Sequence, residues 1–332
     1  MRRILSLIIC ITLSLLFGCD VHEWPETPNL VEMNLNLNYE TEMTEWEFLH
    51  NETTVTEQGY GDTYNNHQQY GMIRYIVRTY LVSDKQRTMQ NYTQEFIFLK
   101  DIAEGYDHKV SLKLLPGNYD IMVWSDLVES DNNKRFYNAD SFEEIMLHGE
   151  HKGNTNYRDA YYGKYRILVS ANKAYQTNKA IDINVNMKRP LAKFQIIAND
   201  LPEFINAQGN TLSRYKAKIQ YVGYMPNTYS MFADRPVASI IGEKFESQLS
   251  KITETEVSIG FDYVFVSDQG SSVTVKLSIY DNKDQLISFS EPITIPVKQD
   301  HHTLLKGKFL TQNATKGVDI DPNWGGDYNI VL

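Results

Sequence analysis

The sequence predicts an all-β protein with two tandem β-sandwich domains. Short apolar and polar alternations of period two recur along most of the 332 residues, and such alternation is typical of strands that bury one face. Turn-forming residues separate these segments at roughly regular spacing, as they do in sandwiches. No long stretch has the 3.6-residue period of an amphipathic helix. The pattern therefore favours antiparallel sheets over a parallel sheet covered by helices.

The first eighteen residues have the composition of a secretory signal peptide. Arg2 and Arg3 form a positively charged start, and residues 4–17 form an apolar segment. This segment is shorter than the roughly 20 apolar residues that a membrane-spanning helix needs, and the polar Asp20 follows closely. We expect residues 1–18 to be removed from the mature protein.

A cysteine follows the apolar segment directly. Leu16-Phe17-Gly18-Cys19 resembles the bacterial lipobox, in which a peptidase cuts before a cysteine whose sulfur carries diacylglycerol. The resemblance implies cleavage between Gly18 and Cys19, lipidation of Cys19, a lipidated tether over residues 19–30, and the membrane as a partner. The alternative is a buried cysteine behind an ordinary signal. Because Cys10 would leave with the signal, the mature chain would have neither a free thiol nor a disulfide.

The charge of the chain is acidic. The formal net charge is −10, and loss of Arg2 and Arg3 makes the remainder more acidic still. Proteins that bind nucleic acid normally present a basic face, so nucleic acid is not an expected partner. Residues 19–73 contain eleven acidic residues and no Lys or Arg. Such a bias is typical of a solvated tether or loop.

Residues 31–189 are predicted to form the N-terminal sandwich, and its first strand covers residues 31–39. The polar segment that follows, residues 40–70, is predicted to be a long loop, and long loops are often functional. Aromatic residues in this loop could stack on the rings of a sugar ligand, although the alternative is that they pack on their own domain. These candidate ligand-binding residues are Trp46, Tyr60, Tyr64 and Tyr70.

The remaining strands of this domain are predicted at residues 73–82, 95–99, 110–114, 119–124, 165–170 and 181–187. The Leu-Pro-Gly-Asn turn at residues 115–118 predicts a hairpin between two of them. Ser141 can cap a helix whose first turn contains Glu143 and Glu144, so residues 141–147 are predicted to form a short helix or a turn.

Pro190 marks the predicted boundary between the domains, because proline cannot donate to a sheet ladder. Residues 190–332 are predicted to form the C-terminal sandwich. Its predicted strands cover residues 192–198, 215–224, 237–241, 256–266, 272–280, 285–288, 293–297, 303–309 and 327–332.

Metal-binding patterns are weak in this sequence. His148 and His151 have a spacing that could serve a metal on a helix, but Gly149 between them favours a loop. The pair His301 and His302 is predicted to form a turn before a strand. We therefore expect neither pair to bind a metal.

Acidic residues near the carboxyl end, Asp319, Asp321 and Asp327, could bind calcium through their oxygens. Their loose spacing is common in any acidic protein, so no metal site is predicted. The sequence has no Gly-x-Ser-x-Gly elbow, no phosphate-binding loop and no thiol nucleophile in the mature chain. We expect no enzymatic activity and no cofactor.

Three tracts carry a resemblance to a known family. MKRPLAKF at residues 187–194, RDAYYG at 158–163 and HTLLKGKFLT at 302–311 resemble fimbrillin-type lipoproteins of Bacteroidetes, which are shaft, tip and anchor subunits of the type V pilus. The resemblance implies two transthyretin-like, Greek-key β-sandwiches, a lipidated amino terminus, and an outer-membrane location at the cell surface or fimbrium. It further implies a role in cell adhesion with other fimbrial subunits as partners. The tyrosines of the second tract have an alternative role in simple sandwich packing.

In that family, shaft subunits lose an amino-terminal segment by proteolysis after a basic residue, and a neighbour's strand fills the groove. Here the first basic residue after Cys19 is Arg74, which lies in an apolar strand pattern and is expected to be inaccessible. The hypothesis that follows is a subunit that keeps its lipid and first strand, as an anchor or accessory subunit. The alternative is a surface lipoprotein that binds a glycan, or another host or bacterial surface ligand, without forming a filament.

Overall fold

A computed structural model describes residues 30–49, 55–60, 71–82, 92–129, 135–170, 180–209 and 211–311. Strands dominate these residues, which confirms the all-β fold. The elements are β1 (Val31–Tyr39), β2 (Met43–Leu49), β3 (Val55–Tyr60), β4 (Gly71–Leu81), β5 (Tyr92–Asp101), β6 (His108–Leu114), β7 (Gly117–Glu129), β8 (Tyr137–Asn138), β9 (Ile145–Leu147), β10 (Ala160–Val169), β11 (Ile181–Met187), β12 (Leu191–Ala198), α1 (Leu201–Gln208), β13 (Tyr215–Tyr221), β14 (Tyr224–Ser230), β15 (Arg235–Ile241), β16 (Lys244–Gln248), β17 (Ser250–Lys251), β18 (Val257–Phe265), β19 (Ser271–Asp281), β20 (Leu286–Phe289), β21 (Ile293–Val297) and β22 (His301–Gly307).

The first sandwich places a three-stranded sheet of order β11-β1-β6 against a four-stranded sheet of order β10-β7-β4-β5. Strand β1 is central in its sheet, where it runs parallel to β11 and antiparallel to β6. The alternation in its sequence buries four side chains in the core of this sandwich. They are Val31, Met33, Leu35 and Leu37.

The second sandwich has a six-stranded sheet of order β17-β18-β12-β22-β2-β3. The facing sheet has the order β16-β13-β19-β20, and β21 also pairs with β19. Buried side chains between them include Phe194, Ile219 and Val275, and the short helix α1 adds Leu201 and Phe204. The helix was not predicted, because eight residues are too few to display a helical period.

The hairpin β2–β3 corrects the prediction of a loop over residues 40–70. It follows a strand of the first sandwich, yet β2 pairs in parallel with β22 of the second sandwich, from Thr44 beside His301 to Leu49 beside Lys306. Strand propensity depends strongly on the partner strand. Because that partner lies near the other end of the chain, the local polar sequence of the hairpin predicted a loop.

A third sheet, of order β15-β14-β9-β8, joins the two halves of the chain. Its core combines Trp124, Tyr137 and Tyr162 from the first half with Tyr229 and Phe265 from the second. The short helix predicted over residues 141–147 is wrong, because β9 pairs with β14 instead. Ser141 Oγ accepts a hydrogen bond of 3.2 Å from the Glu143 backbone N–H, but the chain then enters β9 instead of a helix.

One predicted hairpin and one predicted turn are also wrong. The turn at residues 115–118 does not close a hairpin, because β6 pairs with β1 in one sheet whereas β7 pairs with β4 and β10 in the other. It is a corner between the two sheets of the sandwich. The pair His301 and His302 begins β22 rather than forming a turn, and His302 is buried.

Candidate functional site

The amino-terminal strand β1 is held on both faces of its sheet. Its apolar side chains enter the core, and its polar side chains form a ladder on the exposed face. Asn34 Nδ2 donates to Asp182 Oδ1 at 3.0 Å and Asn36 Nδ2 donates to Asn184 Oδ1 at 3.1 Å. On the other side, Ser111 Oγ donates to Asn34 Oδ1 at 2.8 Å. Strand β1 is therefore an integral part of the sandwich.

The connection from β1 to β2 is bound by one buried arginine. Arg189 is fully buried between β11 and β12. Its Nη1 donates to the carbonyl oxygen of Glu40 at 3.2 Å, and its Nη2 donates to that of Thr41 at 2.8 Å. The same guanidinium contacts Asp159 Oδ1 at 2.9 Å and Asp300 Oδ1 at 2.9 Å. We call Arg189, Asp159 and Asp300, with these two carbonyl groups, the Arg189 clamp.

The charges of the clamp are arranged around this one cation. The Tyr161 ring lies 4.6 Å from the Arg189 guanidinium carbon, and the Tyr161 hydroxyl donates to Asp159 at 3.0 Å. Burial raises the pKa of Asp300, and the attraction of Arg189 offsets only part of this effect. Removal of the guanidinium would leave buried acidic groups and backbone carbonyls without their cation.

Arg74, the first basic residue after Cys19, is buried in β4. Its Nε and Nη2 donate to the two carboxylate oxygens of Asp126 at 2.8 and 2.6 Å, and Nη2 also donates to the carbonyl oxygen of Tyr137 at 3.1 Å. Strand β4 is paired on both sides, with β5 and β7. The expectation that Arg74 is inaccessible is confirmed.

A second buried polar cluster links the loop before β10 to the second sandwich. Arg158 Nη1 donates to Asp262, the ring of His151 lies 2.8 Å from Asp262 Oδ2, and the Tyr221 hydroxyl donates to the same oxygen at 2.7 Å. Burial alone would raise the pKa of Asp262, but Arg158 and then His151 outweigh it and the pKa is lowered. This set is called the Asp262 cluster below.

The side chains of His148 and His151 do not come together to form a metal site. His151 is engaged by Asp262, whereas His148 is exposed on the preceding turn. Across the described ranges, no group of three or more His, Cys, Asp or Glu side chains is placed to hold a metal ion. The calcium candidates Asp319, Asp321 and Asp327 lie outside the described residues.

The predicted ligand-binding aromatics do not form one loop. Trp46 lies on β2, opposite Glu57, and Tyr60 lies on β3, opposite Met43. Both residues therefore belong to paired strands, which corrects their assignment to a loop. Four other predicted site residues lie outside the described residues; they are Gly18, Cys19, Tyr64 and Tyr70. The predicted strand at 327–332 also lies outside them.

Sequence reasoning missed both polar clusters. Arg189 and Asp159 each stand in a tract that carries the family resemblance, but nothing in either tract shows that the side chains are buried and paired. Asp262 interrupts an apolar strand, and this is the only local signal for its role. Charged residues are rarely fully buried unless they are paired.

The three tracts that carry the family resemblance meet in the structure. Asp159 contacts Arg189, and the backbone groups of Tyr162 and Lys188 exchange hydrogen bonds of 2.8 and 2.9 Å. The third tract contains most of β22, which lies between β12 and β2. In the part of the chain with described coordinates, no helix combines the length and apolar character needed to cross a membrane.

Comparison with known proteins gives one family match and several similar structures. Residues 26–332 match the model of a family described as "Family of unknown function (DUF6562)". No curated protein sequence matches the chain.

Three of the similar solved structures come from three different bacteria. A candidate adhesin from Bacteroides thetaiotaomicron has 12% identity and a TM-score of 0.46, over 85% of this chain and 93% of its own. A fimbrial anchor protein from Porphyromonas gingivalis has 13% identity and a TM-score of 0.39, over 75% and 81%. A fimbrial assembly protein from Parabacteroides distasonis has 15% identity and a TM-score of 0.39, over 86% and 93%.

Proposed function

The chain belongs to the family of unknown function (DUF6562), and we propose that it is a fimbrillin-type surface lipoprotein that serves as an anchor or accessory subunit of a fimbrium. In this proposal Cys19 carries the lipid in the outer membrane, and other fimbrial subunits join the protein by β-strand addition. The role is structural and adhesive, without catalysis.

The observation that carries the proposal is the position of the amino-terminal segment. Strand β1 fills the centre of a sheet in the first sandwich, and the hairpin β2–β3 extends a sheet of the second. The Arg189 clamp binds the connection between them. Loss of this segment would open the core of one sandwich and uncover a strand of the other, so a retained segment is the state that the contacts favour.

The position of Arg74 supports the same role. A trypsin-like protease finds no Lys or Arg between Cys19 and Arg74. Arg74 itself is buried, paired with Asp126 and part of a central strand. Proteolysis needs a locally unfolded and exposed chain. Removal of the amino-terminal segment at this site would therefore require partial unfolding of the first sandwich.

The length of the tether fits a subunit close to the membrane. Residues 19–30 separate the lipidated cysteine from β1, and twelve fully extended residues span at most about 40 Å. The first sandwich would therefore stay near the membrane surface. A single acyl chain binds membranes only marginally, whereas lipidation with more than one chain gives stable anchoring.

A pair of cysteine variants tests the proposal that a lipid on Cys19 anchors the protein in the membrane. Cys19→Ser removes the proposed lipid site, and Cys10→Ser is the matched control because it changes a cysteine within the predicted signal. We expect the wild type and Cys10→Ser to remain in the washed membrane, with fimbrial subunits co-purifying, and Cys19→Ser to be lost from it. Equal membrane retention of both variants would contradict the proposal. A lipidated protein without fimbrial partners would instead favour the ligand-binding alternative.

A further inference from the structure

A cleft of about 610 Å³ opens beside the Asp262 cluster. The loop that contains His151 and Lys152 forms one wall of the cleft. Strands β13 and β16 of the second sandwich form the other wall. Small-molecule sites in proteins typically have volumes of about 300–1,000 Å³. The cleft therefore has room for a small ligand or a short oligomer.

The charge in this cleft differs from that of the rest of the chain. Lys152, Lys218 and Lys244 line it, together with Glu150 and Glu246, although the whole chain has a net charge of −10. Within the described ranges, none of these three lysines forms an ion pair.

Glu246 lies directly opposite Lys218 in the pairing of β13 with β16. Its carboxylate oxygen lies 3.5 Å from Lys216 Nζ, and Lys216 is not part of the lining. Lys216 lies closer to Asp284, at 2.9 Å, so Glu246 still counts against the lysines of the cleft. The lining has three lysines and two glutamates, which leaves an excess of one positive charge. A cleft lined by an excess of one charge attracts ligands of the opposite charge.

The wall of the cleft is pre-formed rather than loose. A Cβ atom on Gly153 would lie 2.5 Å from the ring of Phe245, so the loop lies directly on β16 and only glycine fits there. His151, two residues before, is held by the buried Asp262. A site that needs little ordering on binding loses less affinity to entropy.

Aromatic rings complete the lining. Phe136 is half-buried and lies parallel to Tyr157, with 6.2 Å between ring centroids, and Phe245 is buried below Gly153. Aromatic faces provide apolar contact area at low entropic cost. Lysines together with aromatic rings suit a ligand that has both carboxylates and a flat apolar face.

We propose that this cleft binds a carboxylate-bearing saccharide, such as one built from uronic acids. The lysines would contact the carboxylates and Phe136 would contact a ring face of the sugar. The site is separate from β1 and the Arg189 clamp, so this proposal does not depend on the fimbrial role of the protein. It differs from the predicted aromatic loop at residues 40–70.

Calorimetric titration of the intact, purified protein in detergent tests the proposal, with trigalacturonate as the probe. Its fully methyl-esterified form is the matched control ligand, because it keeps the rings and loses the negative charges. We expect saturable binding of the acid and about tenfold weaker binding of the ester, as for the loss of one charge-assisted hydrogen bond. No saturable binding, or equal binding of both ligands, would overturn the proposal.

Variants locate the binding in the cleft. The triple variant Lys152→Gln, Lys218→Gln and Lys244→Gln is expected to bind trigalacturonate about tenfold more weakly. The control is a triple glutamine variant of Lys113, Lys276 and Lys283, which are exposed and lie outside the cleft. It makes the same change in net charge and should bind within about twofold of the wild type. Equal losses in both variants would overturn the assignment.

Two further measurements control for unfolding of the variants and for a different class of ligand. Thermal unfolding of each variant shows whether the protein still folds. If the triple variant of the cleft is unfolded, the single variant Lys218→Gln replaces it and is expected to lose part of the affinity for trigalacturonate. A penta-aspartate peptide is titrated in parallel. If the peptide binds as tightly as trigalacturonate, the ligand class is an acidic peptide and the saccharide proposal is wrong.

Discussion

Arg189 Nη2 donates a hydrogen bond of 2.8 Å to the backbone carbonyl oxygen of Thr41. Thr41 lies in the connection that leaves the first sandwich, and Arg189 lies at the junction where the chain enters the second. One buried side chain therefore binds two of the places at which the chain passes between the sandwiches. In the proposed anchor role, retention of the amino-terminal segment would depend on this contact and on the pairing of β1 and β2.

Replacement of Arg189 by Met is expected to destabilise the protein by about 3–5 kcal/mol, because Asp159 would be left buried without its cation. Chemical denaturation measures the change in the free energy of unfolding. Arg214→Met is the control, since Arg214 is exposed, and it should change stability by less than about 0.5 kcal/mol. Similar values for the two variants would show that the clamp contributes little.

Truncation of a core residue in β1 tests whether this strand is integral to the sandwich. Leu35 is fully buried, so Leu35→Ala is expected to cost about 2–5 kcal/mol of unfolding free energy. Asn38→Ala, on the exposed face of the same strand, should cost less than about 0.5 kcal/mol. If Leu35→Ala left the stability unchanged, β1 would not be part of the cooperative unit.

Acid stability should depend on Asp262. Its pKa in the folded state is lowered, and an unfolded Asp titrates near about 4. The stabilising contribution is therefore fully present above about pH 4 and is lost as the pH falls through the folded-state pKa. We expect the free energy of unfolding of the wild type to fall in this acidic window, and that of Asp262→Asn to fall less steeply.

At neutral pH the same Asp262→Asn variant should be destabilised by about 3–5 kcal/mol, because Arg158 and its partners lose their buried anion. Asp268→Asn serves as the control because Asp268 is exposed. Denaturant titrations at several pH values measure both variants. An identical acid slope in wild type and Asp262→Asn would contradict the assigned charge state.

Alkaline stability should depend on buried tyrosines, and Tyr80 gives the clearest case. Burial raises the pKa of Tyr80 to about 12, although Arg78 acts against this shift. The unfolded value is about 10, so the folded state holds an extra proton between pH 10 and 12. Stability is therefore unaffected below about pH 10 and falls as the pH rises towards 12, by about 2–3 kcal/mol in total.

The variant Tyr80→Phe removes this titrating group and should lose less stability between pH 10 and 12 than the wild type. Tyr224→Phe is the control, because Tyr224 is 58% exposed. Denaturant titrations across this pH range give the slopes. If the control flattened the curve as much as Tyr80→Phe, burial of Tyr80 would not be the cause.

The strands with a clear alternation could be predicted from sequence. In β1 and β11, apolar residues such as Leu35 and Val185 alternate with polar ones, and one face is buried in each case. Elements whose pairing is decided far along the chain could not be predicted. The hairpin β2–β3 has a polar sequence and gains its place from β22, and β9 forms because it pairs with β14.

The ion pairs and hydrogen bonds of the buried clusters could also not be predicted from the sequence. Arg189 stands beside Pro190, where a domain boundary was predicted, and β11 and β12 on its two sides belong to different sheets. Its guanidinium can be buried because Asp159, Asp300 and the carbonyl groups of Glu40 and Thr41 surround it. Such a set is assembled from four separate parts of the chain.

The mature amino terminus tests the central claim most directly. Mass spectrometry would be applied to the protein from the washed membrane and, separately, from sheared surface filaments of its own cell. We expect an acylated Cys19 terminus in the membrane fraction, with β1 and β2 retained and filament subunits co-purifying. A lipid-free form in the filaments that begins at or after Arg74 would contradict the account and make the protein a polymerising subunit.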